Sequence, residues 1–334
     1  MTEGYEAVVV GSGIVGVCLA IKLAELGFKT LIIDRCSKPC GATTYSGGVF
    51  TRILDDEDEY SWALKSHRFY RRYLNKAGFI SWGYLILEER SLVEMDYEDY
   101  VEDIQRLKII YPDDIPDLMG MDIKLDDEMG LLVEDDFTVN PALLVEYLRN
   151  LYLDMGGEFL QAYYRGYDHF DKRVLLDHGE ISFEKLFICL GPWGEDIPGR
   201  YRSSRLISIP IYKFDVKINL GFWDETLYGY FRVEDDSMVG GFYDAYPVGD
   251  VNQGFGVPHE DSVNYALDRI SIRLGYKPRI TEMWRAPVAL SFNFKPFHMK
   301  VDEDIYILNG FGGRGIILGP GYIEENIEYM LESK

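Results

Sequence analysis

The sequence predicts an α/β fold in which a doubly wound domain with a parallel sheet is interleaved with a second, mainly antiparallel domain. A chain of 334 residues is long enough for about two domains. Residues 6–10, 14–26 and 30–34 read as a strand, a helix that ends at Gly27 and a second strand, and such a βαβ unit implies a parallel sheet. Residues 206–243 are strand-rich and aromatic, which is typical of an antiparallel sheet.

The other elements follow from apolar periodicity and turn residues. The acidic residues 55–59 favour the start of a helix, because negative charge is stabilised at the positive end of the helix dipole. The remaining predicted elements are that helix to residue 76, sheet at 79–88, a helix plus loops within 91–130, a helix at 138–155, strands at 158–164 and 173–190, a helix at 260–274, a strand at 304–309 and a helix at 315–332 that Gly319-Pro320-Gly321 interrupts. Since the two kinds of sheet alternate along the chain, we assign residues 1–80, 131–205 and 295–334 to the first domain and residues 81–130 and 206–294 to the second.

The charge of the chain excludes several classes of partner. Lys and Arg total 34 and Asp and Glu total 56, which gives a formal net charge of -22 at pH 7. Such an acidic surface repels nucleic acid phosphates and anionic membranes, so we expect neither as a partner. Glu3 and Glu6 stand where a signal peptide would be basic, and no apolar run is long enough to span a bilayer. We therefore expect no transmembrane segment and a cytoplasmic location.

The cysteines and histidines carry no pattern typical of a metal site or a disulfide framework. Cys18, Cys36, Cys40 and Cys189 lack a paired zinc spacing and are too few for a framework, which agrees with a reducing cytoplasm. The five histidines show no metal-ligand spacing. We predict no metal site.

The strongest motif is the glycine pattern Gly11-Ser12-Gly13-Ile14-Val15-Gly16, which follows the first strand and opens the first helix. In a dinucleotide-binding unit the first glycine permits a tight turn, the second lets the backbone approach a pyrophosphate, and the third lets helix and strand pack closely. Amides at the helix start then face the phosphates, and Asp34 at the end of the second strand can accept hydrogen bonds from ribose hydroxyls. The pattern predicts a Rossmann-like domain but does not separate NAD from FAD.

Three later segments favour the larger cofactor, FAD. Residues 41–48 form a loop of small and hydroxyl residues where a simple NAD-binding unit would continue into another helix. Residues 187–193 read as a strand that ends at Gly191. Residues 309–316 read as a strand, a glycine turn and a helix start, and such a turn can aim N–H groups at the negative charge of a reduced flavin. A covalent link from Cys40 to the flavin stays open at this point.

Together these segments resemble the FAD-dependent oxidoreductases typified by D-amino acid oxidase, glycine oxidase and sarcosine oxidase (the DAO family). The resemblance covers residues 1–50, 187–193 and 284–320. It implies FAD bound along the first domain and an antiparallel sheet that covers the flavin ring. The cofactor-binding residues are expected to be Gly11, Gly13, Ile14, Val15, Gly16, Asp34, Arg35, Thr43, Thr44, Gly47, Gly48, Val49, Gly191, Gly312, Gly313, Arg314, Gly315 and Ile316.

The resemblance also points to substrate-site residues on the second sheet. The family places a substrate tyrosine on a strand shortly before a Gly-Gly or Gly-Ala turn, and here Tyr228 and Tyr230 precede Gly240-Gly241. Tyr230 is the first candidate and Tyr228 the second, and Tyr243 is expected near the flavin. Packing within the sheet is the alternative for Tyr228 and Tyr230, since the chain holds 25 tyrosines.

One position departs from the family pattern. Glycine oxidase-like members carry an arginine four residues after a tryptophan, and it binds the substrate carboxylate, whereas here Val288 follows Trp284 at that distance. Arg285 and Arg314 are the remaining candidates, because a planar guanidinium binds a carboxylate through two parallel hydrogen bonds. We expect Arg314→Ala to weaken the binding of carboxylate substrates several-fold.

These observations predict an FAD-dependent enzyme that oxidises a small amine or amino acid by hydride transfer to flavin N5. One alternative is a 2-hydroxy acid or polyol dehydrogenase, which needs the same hydride geometry. Another is a flavin-carrying subunit of a larger electron-transfer complex. A homo-oligomer and a partner electron-transfer subunit are both left open.

Overall fold

The computed structural model of the chain describes residues 4–196 and 204–332, and these residues form two β-sheets with helices packed against them. The strands are β1 (Tyr5–Val10), β2 (Thr30–Asp34), β3 (Val49–Phe50), β4 (Ile80–Glu89), β5 (Leu107–Ile110), β6 (Glu128–Val139), β7 (Glu158–Gln161), β8 (Tyr164–Asp168), β9 (Arg173–Leu176), β10 (Gly179–Ile188), β11 (Ser204–Phe214), β12 (Gly221–Asp224), β13 (Gly229–Glu234), β14 (Ser237–Phe242), β15 (Tyr246–Pro247), β16 (Ile280–Ser291), β17 (Phe297–Asp302) and β18 (Ile305–Asn309). The helices are α1 (Ile14–Glu25), α2 (Glu57–Leu74), α3 (Arg90–Tyr100), α4 (Ile115–Met119), α5 (Pro141–Asp154), α6 (Val251–Gly254), α7 (Glu260–Leu274) and α8 (Gly315–Leu331), and short 3-10 helices cover Ala42–Tyr45, Pro112–Asp114 and Gly191–Asp196.

The first sheet has the strand order β17-β18-β10-β1-β2-β7, in which all neighbours are parallel except the edge strand β17. Alternation along β1 sends Ala7 and Val9 into a core shared with α1, α2, α5 and α8, and Val8 and Val10 into a core on the opposite face. The predicted α/β fold with a parallel sheet is confirmed. Among the described residues, β8 and β9 pack over the core on the second face of this sheet. The sequence did not predict that strands would cover this face.

Helix α8 continues through Pro320, although the sequence predicted an interruption there. A proline in a helix cannot donate a hydrogen bond to the carbonyl four residues earlier. Here the hydroxyl of Tyr70, from α2, donates to that carbonyl, Ile316 O, at 2.7 Å. The next residue, Gly321, brings α8 so close to α2 that a Cβ built on it would lie 1.8 Å from Trp62 O. The proline and the glycine therefore fit a tight helix–helix contact.

The second sheet has the order β15-β11-β14-β13-β12-β4-β6-β3, with β16 also paired to β11 and β5 to β6. Its pairs are antiparallel except β4 with β12, so the mainly antiparallel prediction is confirmed. Phe231 faces a core that includes α7, whereas its neighbours Tyr230 and Arg232 face residues 46–47. Strand β6 spans the domain boundary that was predicted between residues 130 and 131, and the domain boundaries otherwise stay a prediction.

Membrane-spanning helices were not expected from the sequence. In the described part of the chain, none of the helices combines the length and the apolar character needed to cross a bilayer.

Candidate functional site

Two glycines where β1 leads into α1, Gly11 and Gly16, could not be replaced without displacing backbone. Gly11 has φ +102, and a Cβ on it would lie 2.5 Å from Cys189 O. A Cβ on Gly16 would lie 1.9 Å from Gly11 O. The first glycine therefore permits the turn, and the last lets α1 lie directly against that turn. Since the first N–H groups of a helix lack intrahelical acceptors, the start of α1 presents donors at this point.

The carboxylate of Asp34 holds the loop in place. Its Oδ2 accepts from Ser12 N at 2.7 Å and from Ser12 Oγ at 2.8 Å, and its Oδ1 accepts from Cys36 N at 2.9 Å. A carboxylate offers about four acceptor positions. One position is therefore left for a hydroxyl group of a ligand, as the role predicted for Asp34 requires.

The cysteines behave differently from the prediction. Cys36 and Cys40 form a disulfide with Cα atoms 6.3 Å apart, so the expectation of no disulfide is wrong for this pair. The physical reason is local, since the turn after β2 brings two residues four apart within ordinary disulfide reach. With its sulfur in this bond, Cys40 is not available for a covalent link to a flavin. Asp34, Cys36 and Cys40 are a potential metal-ligand group, but both sulfurs are disulfide-bonded.

The loop at 41–48 leads from the disulfide to the second sheet. Thr43 Oγ1 accepts from Ile14 N at 3.3 Å, which ties the loop to the start of α1. Gly48 has φ +69, and a Cβ on it would lie 2.0 Å from Val139 O. Only glycine fits this crossing from one sheet to the other.

A cavity of about 420 Å³ runs from Asp34 to the glycine turn at residues 310–315. Twelve of the predicted cofactor residues line it, and they are Gly11, Gly13, Ile14, Val15, Asp34, Arg35, Thr43, Gly191, Gly312, Gly313, Gly315 and Ile316. The predicted residues outside its lining are Gly16, Thr44, Gly47, Gly48, Val49 and Arg314. The structure therefore brings most of the set together around one elongated space.

At the Asp34 end, the cavity has an aromatic wall. The guanidinium of Arg35 lies 4.3 Å from the ring centroid of Trp193. Tyr164 and Arg165, from β8, also line this end. These two residues were not predicted, because the strands that cover the second face of the first sheet were not recognised as part of a site.

At the other end, the glycine turn meets the second sheet. Gly312 has φ +58 and its N–H donates to Ala289 O, on β16, at 2.9 Å. Val288 and Ala289 line the cavity beside Gly312 and Gly313. Asn309 Nδ2 donates to Gly191 O at 3.0 Å, which joins the turn to the end of β10. The cavity therefore ends between the first domain and β16.

The predicted substrate tyrosines form one aromatic cluster on the second sheet. The ring of Tyr230 lies so close to Gly47 that a Cβ there would be 2.4 Å from its Cε2. Burial raises the pKa of Tyr230, so its hydroxyl stays protonated and able to donate. Tyr228, with φ +50, stacks on Tyr243 at 6.1 Å between ring centroids, and Trp223 lies 5.3 Å from Tyr243. Tyr228 and Tyr243 are exposed.

A buried arginine that the sequence did not single out joins the second sheet to the loop at 41–48. Arg232 Nη1 donates to Ser46 O and to Gly47 O, both at 3.1 Å. Its Nε donates to Glu234 Oε2 at 3.2 Å, and its side chain is 3% exposed. Burial raises the pKa of Glu234, but Arg232 and Lys213 outweigh it and hold that pKa below its usual range. Arg232 thus fixes the middle of the loop at 41–48 from the second sheet.

Comparison with known proteins identifies the family of the chain. A family model described as FAD dependent oxidoreductase (DAO) matches residues 6–324. The chain belongs to this family. The predictions of a DAO-family oxidoreductase and of FAD as its cofactor are therefore confirmed.

Solved structures share the fold of this oxidoreductase. L-proline dehydrogenase from P. horikoshii is 18% identical with a TM-score of 0.84, over 98% of this chain and 94% of that one. L-amino acid deaminase from Proteus vulgaris is 15% identical with a TM-score of 0.82, over 100% and 95%. Glycine oxidase from Geobacillus kaustophilus is 14% identical with a TM-score of 0.79, over 97% and 94%.

A curated relative matches the oxidoreductase over a short segment. Vinyl phenol reductase from Lactiplantibacillus plantarum is 28% identical over 97 residues, which cover 24% of this chain and 20% of the relative. The chain thus matches about a fifth of that relative's length.

The residues of the oxidoreductase fit an extended dinucleotide. The amides at the start of α1 open onto the middle of the cavity, between the carboxylate of Asp34 and the glycine turn at 310–315. The cradle at Gly11 and Gly16 has no room for a Cβ, so backbone rather than side chain meets a ligand there. Asp34 would then hold the ribose, the α1 amides the pyrophosphate and the glycine turn the flavin ring.

The two candidate arginines of the oxidoreductase have different surroundings. Arg285 lies away from the cavity lining, because its Nε donates to Val257 O at 3.0 Å and its Nη1 contacts Gln253 O near α6. Arg314 caps α8 beside the glycine turn, and its Nη1 contacts a carboxylate oxygen of Glu59. Neither side chain lines the cavity, but Arg314 stands between Gly313 and Gly315, which line its end at the glycine turn.

Proposed function

We propose that this oxidoreductase oxidises a small amine or amino acid. The observation that carries the proposal is the end of the cavity, where Gly312 and Gly313 of the first domain face Val288 of the second sheet. A flavin ring held at the glycine turn would meet its substrate against this sheet, next to the aromatic cluster of Trp223 and the three tyrosines. The solved structures of similar fold are named for activities on amino acids, which supports the same substrate class.

The glycine turn, the start of α1, Tyr230 and the aromatic cluster each have a role in this proposed reaction. Bound FAD supplies the hydride acceptor. The glycine turn and the start of α1 orient it through backbone N–H groups. Tyr230, whose pKa burial raises further, stays protonated and can donate a hydrogen bond, and the aromatic cluster offers the substrate an apolar surface. A neutral amine can lose hydride without a catalytic base, so the protein mainly positions its substrate.

The test is an anaerobic titration of the FAD-loaded protein with substrate pools. Amines and amino acids are expected to bleach the visible flavin bands, while 2-hydroxy acids of the same carbon skeletons serve as the matched control. Bleaching by the hydroxy acids alone would replace the proposal with a hydroxy acid dehydrogenase. If none of the pools bleached the flavin, a flavin-carrying electron-transfer subunit would take its place.

Three finer points are not decided by the comparisons. The first, a cytoplasmic location, is a prediction from the sequence, while the second, a homo-oligomer, and the third, a partner electron-transfer subunit, stay open. Size-exclusion chromatography with light scattering would decide the second of these.

A further inference from the structure

The charge beside the glycine turn is set by one largely buried ion pair. Arg314 Nη1 contacts Glu59 Oε2, and Arg314 Nη2 donates to Phe294 O at 2.6 Å. The Glu59 side chain is 6% exposed and that of Arg314 is 33% exposed. A guanidinium binds a carboxylate through two parallel N–H groups. The edge formed by Nη1 and Nη2 is already occupied, by a carboxylate and by a backbone carbonyl.

Other cations of the described chain do not replace Arg314 at this end of the cavity. The cations among its lining residues are Arg35 and Arg165, and both lie at the Asp34 end. The opposite end presents the apolar side chain of Val288. Lys295, in the turn between β16 and β17, is held by Asp56 at 2.8 Å and Asp58 at 2.6 Å.

Two further carboxylates act on the aromatic cluster next to this position. Desolvation raises the pKa of Tyr243, Arg314 lowers it, and Glu225 and Asp55 raise it further, so Arg314 and both carboxylates act on the same tyrosine. Glu59 itself adds a fourth charge beside Arg314. A substrate carboxylate placed beside Arg314 would meet the carboxylate of Glu59, whereas a substrate ammonium would approach an opposite charge.

We propose that Glu59 is a specificity-determining residue: by neutralising Arg314, it makes the site select amines that carry no carboxylate on the reacting carbon. The inference rests on the proposed function and narrows its substrate class. A carboxylate substrate would have to displace Glu59 from Arg314 or lie against it, and either costs binding energy. An amine whose other substituent is apolar meets neither obstacle and packs on the aromatic cluster.

The first experiment compares matched substrate pairs on the FAD-loaded enzyme. The pairs are phenethylamine with L-phenylalanine and pyrrolidine with L-proline, which differ only by the carboxylate. For the wild-type enzyme we expect kcat/KM for anaerobic flavin reduction to favour the amine at least tenfold. Glu59→Gln keeps the side-chain shape, removes the charge, and is expected to shift that ratio at least tenfold toward the amino acid.

Asp58→Asn is the matched control. It makes the same change of charge one residue away on the same helix, but Asp58 pairs with Lys295 and not with Arg314. We expect it to leave the ratio unchanged. An equal shift in Asp58→Asn and Glu59→Gln would mean that general charge, not the pair with Arg314, sets the preference, and the inference would fall.

A binding measurement separates this inference from the proposed function. Benzoate is titrated into the oxidised, FAD-loaded enzyme, and binding is followed by the change in the visible flavin spectrum. Glu59→Gln is expected to bind benzoate at least tenfold more tightly than the wild type, and Glu59→Gln/Arg314→Leu is expected to lose that gain. Equal benzoate affinity in the wild type and Glu59→Gln overturns the inference. If no amine or amino acid reduces the flavin, the proposed function fails, and the benzoate titration alone decides the role of Glu59.

Discussion

Replacing Arg232 by methionine tests how the two domains hold the cofactor loop. The guanidinium is 3% exposed, and it supplies the bonds at 3.1 Å to Ser46 O and Gly47 O as well as the pair with Glu234. Breaking a buried ion pair costs about 3–5 kcal/mol, because the remaining charge stays buried. Glu234 keeps Lys213 at 3.2 Å and Asn140 Nδ2 at 3.3 Å. We therefore expect the lower end of that range, about 3 kcal/mol of unfolding free energy.

The assay is thermal unfolding of the FAD-free protein at neutral pH, together with titration of FAD. For a chain of 334 residues, 1 kcal/mol corresponds to about 1.4 °C, so Arg232→Met is expected to lower Tm by about 4 °C. The affinity for FAD should also fall, because the loop at 41–48 loses its anchor. Lys217→Met is the matched control: it removes an exposed ion pair with Asp236 and should change Tm little. A Tm for Arg232→Met within 1 °C of the wild type, on the order of 0.7 kcal/mol, would refute the reasoning.

The same pair predicts a pH dependence. Because the folded-state pKa of Glu234 lies below its unfolded value, its contribution is present at neutral pH and is lost as the pH falls through the folded value. Arg232→Met should therefore lose less stability than the wild type on acidification below about pH 4.3. A double change, Arg232→Met/Glu234→Leu, should recover part of the Tm but not the affinity for FAD, since Ser46 O and Gly47 O still lack their donor.

Two further predictions concern the disulfide and an acidic pair. Cys36→Ser opens the closed loop of five residues at 36–40 and should lower the free energy of unfolding by about 2 kcal/mol. The measurement is denaturant titration, with the wild type in reductant as the control. Equal stability of the oxidised and reduced wild type would contradict this prediction. Burial, with Asp96 and Glu225 nearby, raises the pKa of Glu88 to about 7. Because of this raised pKa, the folded state binds more protons than the unfolded state, so the free energy of unfolding should fall as the pH rises from about 4.3 to about 7. Glu88→Gln should make this fall smaller. Parallel curves of stability against pH for the two proteins would disprove the prediction.

The structural features that could be predicted from the sequence are those that depend on residues close together in the chain. The glycine pattern at 11–16 predicted its turn and its close packing because φ at Gly11 and contact at Gly16 are local requirements of a strand–turn–helix unit. The helix that the acidic residues 55–59 predicted begins after Asp56, and the helix predicted at 138–155 begins after Asn140. Both side chains accept from backbone N–H groups of the first turn. These signals extend over a few residues, so a single sequence contains them in full.

What was missed depends on partners far apart in the chain. Arg232 contacts Gly47 across 185 positions, and Arg52 contacts Asp136 across 84, so neither pair leaves a spacing that a motif could record. The interruption predicted at Pro320 was wrong for a similar reason, since the donor that replaces its missing N–H comes from Tyr70 on another helix. The disulfide between Cys36 and Cys40 was a different error. Its spacing is local, but the low number of cysteines was taken to exclude it.

The loop at 41–48 contacts both the start of α1 and the second sheet, so we expect cofactor binding and order of the substrate site to be coupled. Three contacts hold it from the second sheet: Arg232 binds its carbonyls, the ring of Tyr230 lies on Gly47, and Trp284 Nε1 donates to Tyr45 O at 2.9 Å. The same loop reaches the first domain through Thr43 and the start of α1. A ligand that fixes the loop from the first domain therefore also fixes the surface on which Tyr230 rests. Because the coupling runs both ways, changes at Tyr230 should alter the affinity for FAD even though the tyrosine lies outside the lining of the cavity.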